Sequence, residues 1–386
     1  MDLQQYFKIM VDTEASDLYL TVARPPMYRV DGKIRGEGDQ RFSPADVENL
    51  ANSIMNEKQR REFAETLEMN LATSLPGVAR FRVNIFQQRG SVGMVIRRIK
   101  ADVMSVDEMG LPSILKDIVM TKRGLVLVVG ATGSGKSTSL AAMIDHRNSN
   151  EAGHIITIED PIEFVHRHKQ SIVTQREVGF DTHTFQAALK NTLRQAPDVI
   201  LIGEIRETET MAAALTFAET GHLCLGTLHS NNANQAIERI MNFFPTERHA
   251  QIYMQLSLNL RSIVSQRLIP SVDGKRVVAL EVLMDTPRIK DLIKKGNVDV
   301  LKEAMEQGIQ EGCQTFDQAL FSLYKDEKIS LEQALINADS ANNLRLKIKL
   351  AGLKVDQEPI EPEKMEAAKA KPEPLQAAGS FRLRKT

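Results

Sequence analysis

The tightest constraint on this chain lies near its middle. Leu125-Val126-Leu127-Val128-Val129 is an unbroken apolar run of strand length that leads straight into Gly130-Ala131-Thr132-Gly133-Ser134-Gly135-Lys136-Ser137, and Thr138 to Asp145 beyond it is helix-prone. The octet fits Gly-x-x-x-x-Gly-Lys-Ser/Thr, a pattern with a physical mechanism. Its glycines let backbone N–H groups turn inward around phosphate oxygens, and the helix start that follows adds positive potential. Lys136 then reaches the β- and γ-phosphates of a nucleotide, and Ser137 supplies an oxygen to Mg²⁺. Gly130, Thr132, Gly133, Ser134, Gly135, Lys136, Ser137 and Thr138 are the expected nucleotide-binding residues, with ATP and Mg²⁺ as ligands.

Further apolar runs follow at Ile155-Ile156-Thr157-Ile158, Val199-Ile200-Leu201-Ile202 and Leu223-Cys224-Leu225, and Phe185 to Arg194 and Glu207 to Glu219 between them are helix-like. Strands alternating with helices imply a parallel, doubly wound sheet. In such a sheet ligands bind at the carboxyl ends of the strands, so the residue after each run should face the nucleotide. Those residues are Glu159, Asp160 and Glu163 after the second run, Glu204 after the third and His229 after Leu228. A carboxylate at the end of a buried strand is costly unless it meets a cation, which makes Glu204 the candidate to order Mg²⁺ or its water. Glu163 is the candidate to polarise the attacking water, with Glu159 and Asp160 competing for that role. Asp198, after Pro197, sits at the wrong end of its strand and is expected to do turn or cap chemistry. His222 and His229 bracket one strand, placed either to sense the γ-phosphate or a neighbouring subunit or to be satisfied structural histidines. His166 and His168 lack a third ligand nearby and are expected at the surface.

The first hundred residues have a different rhythm. Alternation in Asp17 to Val22, in Met27 to Ile34 around Asp31-Gly32, and in Arg80 to Ile99 around Arg89-Gly90 predicts half-buried strands in hairpins. Ser43-Pro44 followed by Asp46, Val47, Leu50 and Ile54 predicts a capped covering helix, and Glu57 to Met69 continues in helical style. Met104 to Met120 also has helical character. From Thr246 to about Leu350 the reading is mostly helical, with a short strand pair around Asp273-Gly274 and Val277 to Leu283, and Ile252, Leu256, Leu260, Ile263 and Leu268 form a helical core stripe. Asp356 to Thr386, rich in proline and charge, is expected to be a disordered tail. The expected domains are thus an α/β domain over 1–103, a nucleotide-binding domain with a helical C-terminal part over 104–355, and the tail over 356–386.

Composition narrows the function classes. The chain has 386 residues, 49 basic and 50 acidic, so no overall charge excess drives it to nucleic acid or an anionic surface. The longest uncharged run, Thr220 to Ile237, holds histidines and asparagines that could not cross hydrocarbon, and no secretory leader is readable at Met1 to Met10. With two cysteines, Cys224 and Cys313, no disulfide framework or four-thiolate zinc site can be built, and a reducing, cytoplasmic setting is expected.

Taken together, these motifs resemble the type IV pilus retraction ATPases, the PilT/PilU branch of the secretion ATPases, over roughly Leu3 to Leu350. The resemblance is carried by the loop Gly130 to Thr138, the acidic box Ile158-Glu159-Asp160-Pro161-Ile162-Glu163, the segment Asp198 to Glu204, and a histidine box from His222 to His229. Ala218-Glu219-Thr220-Gly221-His222 looks like the family segment tied to retraction. Gln314 to Leu320, Ala338 to Leu346 and the long tail look closer to the PilU side of the branch. The resemblance implies a PAS-like N-terminal domain before a RecA-like ATPase domain, a homohexameric ring, and domain rotation driven by ATP hydrolysis. It implies that Arg82 and Arg97 reach a neighbouring nucleotide. It also implies a PilT-type partner motor and an inner-membrane pilus platform protein at the cytoplasmic face, and the balanced charge argues for no nucleic acid and against a hexameric nucleic-acid motor. The competing readings are an assembly or secretion ATPase, which usually carries a four-cysteine module, a coupling subunit that hydrolyses little, and a small-molecule kinase, which would need an acceptor pocket.

Overall fold

Alternating apolar and polar residues in the first hundred positions become a six-stranded sheet in a computed structural model that describes residues 2–75, 78–99 and 103–354. The N-terminal elements are α1 (Leu3–Asp12), β1 (Asp17–Leu20), β2 (Met27–Val30), β3 (Lys33–Gly36), α2 (Pro44–Ile54), α3 (Glu57–Thr66), β4 (Glu68–Leu75), β5 (Ala79–Gln88) and β6 (Ser91–Ile99). Their strand order is β3-β2-β1-β6-β5-β4, with every neighbouring pair antiparallel. The tight turns are where the sequence put them, with two successive left-handed residues at Asp31-Gly32 and at Arg89-Gly90. Such turns match the twist of the strands they join.

One face of this sheet is apolar. Leu18, Leu20, Phe81, Val83, Ile85, Met94 and Ile96 are buried together with Tyr6, Phe7 and Met10 of α1 and Val47 and Ala51 of α2. Phe7 stacks on Phe81 with ring centroids 4.2 Å apart. Helix α2 starts as expected, its Ser43 side chain accepting from Asp46 N–H while Asp46 accepts from Ser43 N–H. The helical reading of Glu57 to Met69 is too long. The helix stops at Thr66, Leu67 turns left-handed, and Met69 and Leu71 enter the core at a spacing of two as part of β4.

The opposite face carries a row of charge. Arg29 of β2 pairs in register with Asp17 of β1, Asp17 with Arg97 of β6, and Arg97 with Arg82 of β5. Asp17, 4% exposed, takes Arg97 Nε at 2.9 Å and Arg29 Nε at 3.3 Å.

The remaining chain forms α4 (Ile114–Val119), β7 (Gly124–Val129), α5 (Lys136–Asn150), β8 (His154–Glu159), β9 (Ile172–Glu177), α6 (Phe185–Thr192), β10 (Val199–Ile202), α7 (Thr208–Glu219) and β11 (Leu223–Leu228). It continues with α8 (Ala233–Asn242), α9 (His249–Asn259), β12 (Leu260–Pro270), β13 (Arg276–Met284), α10 (Pro287–Lys294), α11 (Leu301–Gln307), α12 (Phe316–Lys325), α13 (Leu331–Ile336) and α14 (Ala341–Leu350). The seven strands order as β13-β12-β7-β11-β10-β8-β9. Strand β10 runs parallel to both β8 and β11, and β9 parallel to β8, as the alternation of elements required. The chain resolves into two compact units, Met1–Leu125 with Ser137–Thr227 and Val126–Lys136 with Leu228–Thr386.

The first unit holds the N-terminal sheet and the ribbon β11-β10-β8-β9, whose β8, β10 and β11 are buried almost throughout. Of Met104 to Met120 only Ile114–Val119 is helix. In the second unit the expected helical stripe is broken. Helix α9 ends at Asn259, so Ile252 and Leu256 are helical while Leu260, Ile263 and Leu268 lie on β12. A strand buried on both faces shows no alternation, and its apolar run mimics a helix stripe when read by spacing alone. The hairpin β12–β13 is accordingly longer than predicted, in register from Ser262↔Met284 to Pro270↔Arg276. Its Ile269 and Ala279 pack with Phe316, Leu320, Leu335 and Leu344 of the C-terminal helices. Cys224 and Cys313 are both buried and unpaired with each other. Among the described residues no helix is long and apolar enough to cross a membrane, and the segment Asp356 to Thr386 lies outside them.

The charge row makes Asp17 the counter-ion of two arginines, one of them opposite a third. Asp17→Ala should destabilise the chain by about 1–3 kcal/mol in denaturant unfolding, because Arg29 loses its partner and the facing Arg97 and Arg82 lose the carboxylate that offsets them. An unchanged unfolding midpoint would show that the row contributes nothing.

Candidate nucleotide site

In the second unit, β7 delivers the backbone into a loop that only glycine can form. Gly130 has φ +156°, and a Cβ there would lie 2.5 Å from Ser134 Oγ and 2.6 Å from the Gln266 carbonyl oxygen. Gly133 and Gly135 are also at positive φ, and a Cβ on Gly135 would meet Gln266 Nε2 at 2.8 Å. Lys136 Nζ donates to the carbonyls of Gly130 at 2.9 Å and Ala131 at 3.0 Å, so the lysine lies across the loop. Ser134 Oγ is buried and has no hydrogen-bond partner among the described residues. A cradle without side-chain bulk, a lysine across it and an orphaned hydroxyl suit a phosphate group. The brace that steadies this loop has no counterpart among the residues the sequence singles out. Gln266 on β12 donates from Nε2 to the Ser134 carbonyl at 2.7 Å, and a contact spanning more than a hundred positions leaves no local signal.

In the first unit, the carboxyl ends of β8 and β10 carry acids, as the strand-end rule requires. Glu159 ends β8 and accepts at Oε1 from Thr157 Oγ at 2.6 Å and from Gln175 Nε2 at 3.3 Å. Burial nevertheless pushes its carboxyl up to about 7, helped by the nearby charges of Glu163 and Glu177. Gln175 also donates to the Phe164 carbonyl at 2.9 Å and accepts from His166 N–H at 2.8 Å, so one β9 side chain ties Glu159 to the loop that carries Glu163. Glu163 itself is exposed in that loop. Glu204 follows β10 and is ion-paired to Arg206. Ser137, in the first turn of α5, and Glu204 offer hard oxygen atoms of the kind Mg²⁺ takes.

The arginines and histidines fall in distinct places. Arg82 lies in the electrostatic neighbourhood of Glu177, a 1% exposed acid whose carboxyl is raised by burial and drawn back by Arg82, by the Ile162 N–H and by Arg80. Arg97 is 71% exposed on its side chain and ion-paired to Asp17. His229 follows β11 directly and opens the loop to α8, whereas His222 precedes that strand. Its Nδ1 lies 3.1 Å from Thr220 Oγ and its carbonyl accepts from Gly124 N–H at 3.0 Å. The strand-end argument thus applies to His229 and not to His222, which is at the amino end. Asp198 is there too, where its Oδ2 accepts from His154 N–H at 2.7 Å, the cap chemistry expected of it. His166 is not a surface residue. It is 8% exposed, and burial pulls its pKa down to about 4, because the neutral ring is the form the interior tolerates.

A phosphate cradle between an apolar strand and a helix, in a mainly parallel sheet with acids at the strand ends, defines a RecA-like P-loop ATPase. The family described as Type II/IV secretion system protein matches residues 9–329, and the chain belongs to that family. It is 56% identical over 91% of its length to the type IV pilus ATPase PilU of Pseudomonas aeruginosa, covering 92% of that protein. To the type IV pilus retraction ATPase PilT of the same organism it is 45% identical over 89% of its length, covering all of that protein. A crystal structure of the pilus retraction motor PilT with bound ADP superposes with a TM-score of 0.81 at 43% identity, over 88% of this chain and 98% of that one.

The raised Glu159 carboxyl links stability to pH. An ordinary Glu titrates near 4.5 and this one at about 7, so the folded chain keeps a proton that the unfolded chain releases. That stabilisation is complete below the unfolded value and is lost as pH rises through the folded one. Relative to the parent, Glu159→Gln should gain stability from about pH 5 to about pH 8, by up to an order of 3 kcal/mol in denaturant unfolding without nucleotide. A difference that does not vary with pH would contradict the shift.

Proposed function

We propose that this ATPase powers or assists the retraction of type IV pili, converting ATP hydrolysis into domain movement in a ring of identical subunits. The observation that carries the reading is the phosphate cradle of Gly130 to Lys136 in a chain more than half identical to PilU across nine-tenths of its length. In this proposal the backbone of Gly130, Thr132, Gly133, Ser134, Gly135 and Thr138 wraps the phosphates, and Lys136 offsets their charge. Ser137 and Glu204 hold Mg²⁺, which supplies charge neutralisation at the phosphates when bound. Glu163 orients and polarises the attacking water, and Glu159, poised near neutrality, is its rival as proton acceptor. Arg82 and Arg97 serve a neighbouring subunit's nucleotide, and His229 senses the γ-phosphate, with His222 acting from the other end of its strand.

The ring is proposed as a homohexamer working beside a PilT-type motor and against an inner-membrane platform protein at the cytoplasmic face. The proposed domains remain 1–103, 104–355 and 356–386, the middle one able to turn against the first. A second reading, an accessory subunit that couples to the PilT-type motor and hydrolyses little alone, is favoured by the higher identity to PilU than to PilT. Phosphate release measured alone and with the partner separates the two.

Lys136→Ala should lower phosphate release by roughly 10²-fold or more while leaving the melting temperature within a few degrees. Normal turnover would remove the loop from the chemistry. Glu163→Gln and Glu159→Gln decide the water-activating residue. If Glu163 acts, its variant should bind ATP and release phosphate about 10²–10⁴-fold more slowly, with Glu159→Gln much closer to the parent. The reverse order in single-turnover rates would assign the role to Glu159.

A further inference from the structure

Glu281 is a buried acid that none of the chemistry above uses. It lies on β13, 3% exposed, and its Oε1 accepts two hydrogen bonds, from Ala233 N–H at 2.7 Å and from Ser265 Oγ at 2.8 Å. Ala233 opens α8, four positions after His229. The short segment between them is fixed further by Asn231 N–H donating to Gln235 Oε1 at 3.2 Å and by Asn232 Oδ1 capping Gln235 N–H at 2.9 Å. An apolar side chain of the same size would fill the place of Glu281 and leave a buried N–H and a hydroxyl without acceptors. Burial raises the Glu281 carboxyl to about 7 against the pull of both hydrogen bonds, so this acceptor is maintained at a cost.

The partner strand extends the connection. Ser265, which donates to Glu281, is followed on β12 by Gln266, which holds the Ser134 carbonyl of the phosphate loop at 2.7 Å. Arg267 comes next and donates to the Asn337 carbonyl at 2.7 Å and to Asp339 at 2.9 Å, with its guanidinium 3.7 Å above the Phe316 ring. Three successive side chains of one strand thus fasten the segment after His229, the phosphate loop and the C-terminal helices. Strand β12 is itself held along most of its length by β13.

We propose that Glu281 is a positioning residue that sets the place of His229 by clamping the start of α8 to β12, the strand that also braces the phosphate loop. The proposal rests on the reading of His229 as a residue that acts on the nucleotide. A group misplaced by about an ångström can lose on the order of 10²-fold in rate, so a clamp four residues away is enough to matter.

The test is single-turnover phosphate release with the full chain in excess over ATP, together with the dissociation constant of a fluorescent ATP analogue. Glu281→Ala should slow phosphate release by about 10-fold or more with analogue affinity within about 2-fold of the parent. Glu281→Gln, whose amide oxygen can accept both hydrogen bonds, should recover most of the rate. In a His229→Ala background Glu281→Ala should cost nothing further, because the residue it places is gone. If Glu281→Ala does not fold, Ser265→Ala takes its place in the same cycle, with a smaller loss that likewise vanishes in the His229→Ala background. Equal fold-losses in both backgrounds, an unchanged rate in a folded Glu281→Ala chain, or a Gln variant as slow as the Ala variant would overturn the positioning role alone. An unchanged rate in His229→Ala would overturn it together with the reading of His229.

Discussion

Much of the candidate site depends on the absence of one side chain. Gly130 approaches the Gln266 carbonyl and Ser134 Oγ so closely that a single added carbon would lie about where those atoms' surfaces already are. Because it has none, the phosphate loop can lie against β12. Gln266 can then reach the Ser134 carbonyl, and Lys136 can fold across the carbonyls of Gly130 and Ala131. The loop's shape is therefore set by a distant strand as much as by its own glycines. Rigid support of this kind is what a site needs if it is to hold phosphate oxygens without reorganising at each encounter.

What could be read from the sequence follows the range of the interactions. The hairpins at Asp31-Gly32 and Arg89-Gly90, the cap at Ser43 and the strand–loop–helix around Gly130 are written within a few residues, and all formed as expected. The ribbon of parallel strands was also legible, since runs such as Val199 to Ile202 have no polar face to expose. The failures have one cause. The spacing of Leu260, Ile263 and Leu268 mimics a helix because a strand covered on both sides carries no periodicity, and the length of β12 becomes visible only through its pairing with β13. Gln266 and Glu281 leave no local signal for a related reason, since each matters through a partner far away in the chain, and Gln175 matters only once β9 has paired beside β8. Glu159 was open to the argument that singled out Glu204, a carboxylate closing a buried strand, but its burial had to be seen to rank it.

The two ends of the parallel strands differ in how their polar groups are used. At the amino ends, Asp198 caps the His154 N–H, and Arg147 donates to the carbonyls of Val119 and Thr121. The His154 ring lies between the Gln195 carbonyl and Thr174. These side chains complete the backbone where strands begin, satisfying N–H and C=O groups that no neighbouring strand reaches. At the carboxyl end of β8 an acid is instead held near neutrality by its surroundings, a condition that favours proton transfer over stability. A histidine at the first kind of end and a histidine at the second are thus different propositions, although they flank the same six-residue strand.

The burial of the two cysteines makes the chain its own reporter of opening. Cys224 sits inside β11 and Cys313 beside Gly308, and desolvation raises both thiols, so neither offers a thiolate to a reagent while its surroundings are closed. Alkylation of Cys224 requires the packing around β11 to open, and alkylation of Cys313 requires the packing around the turn before α12 to open. Their labelling rates report the local opening of each surrounding separately, without any label having to be introduced.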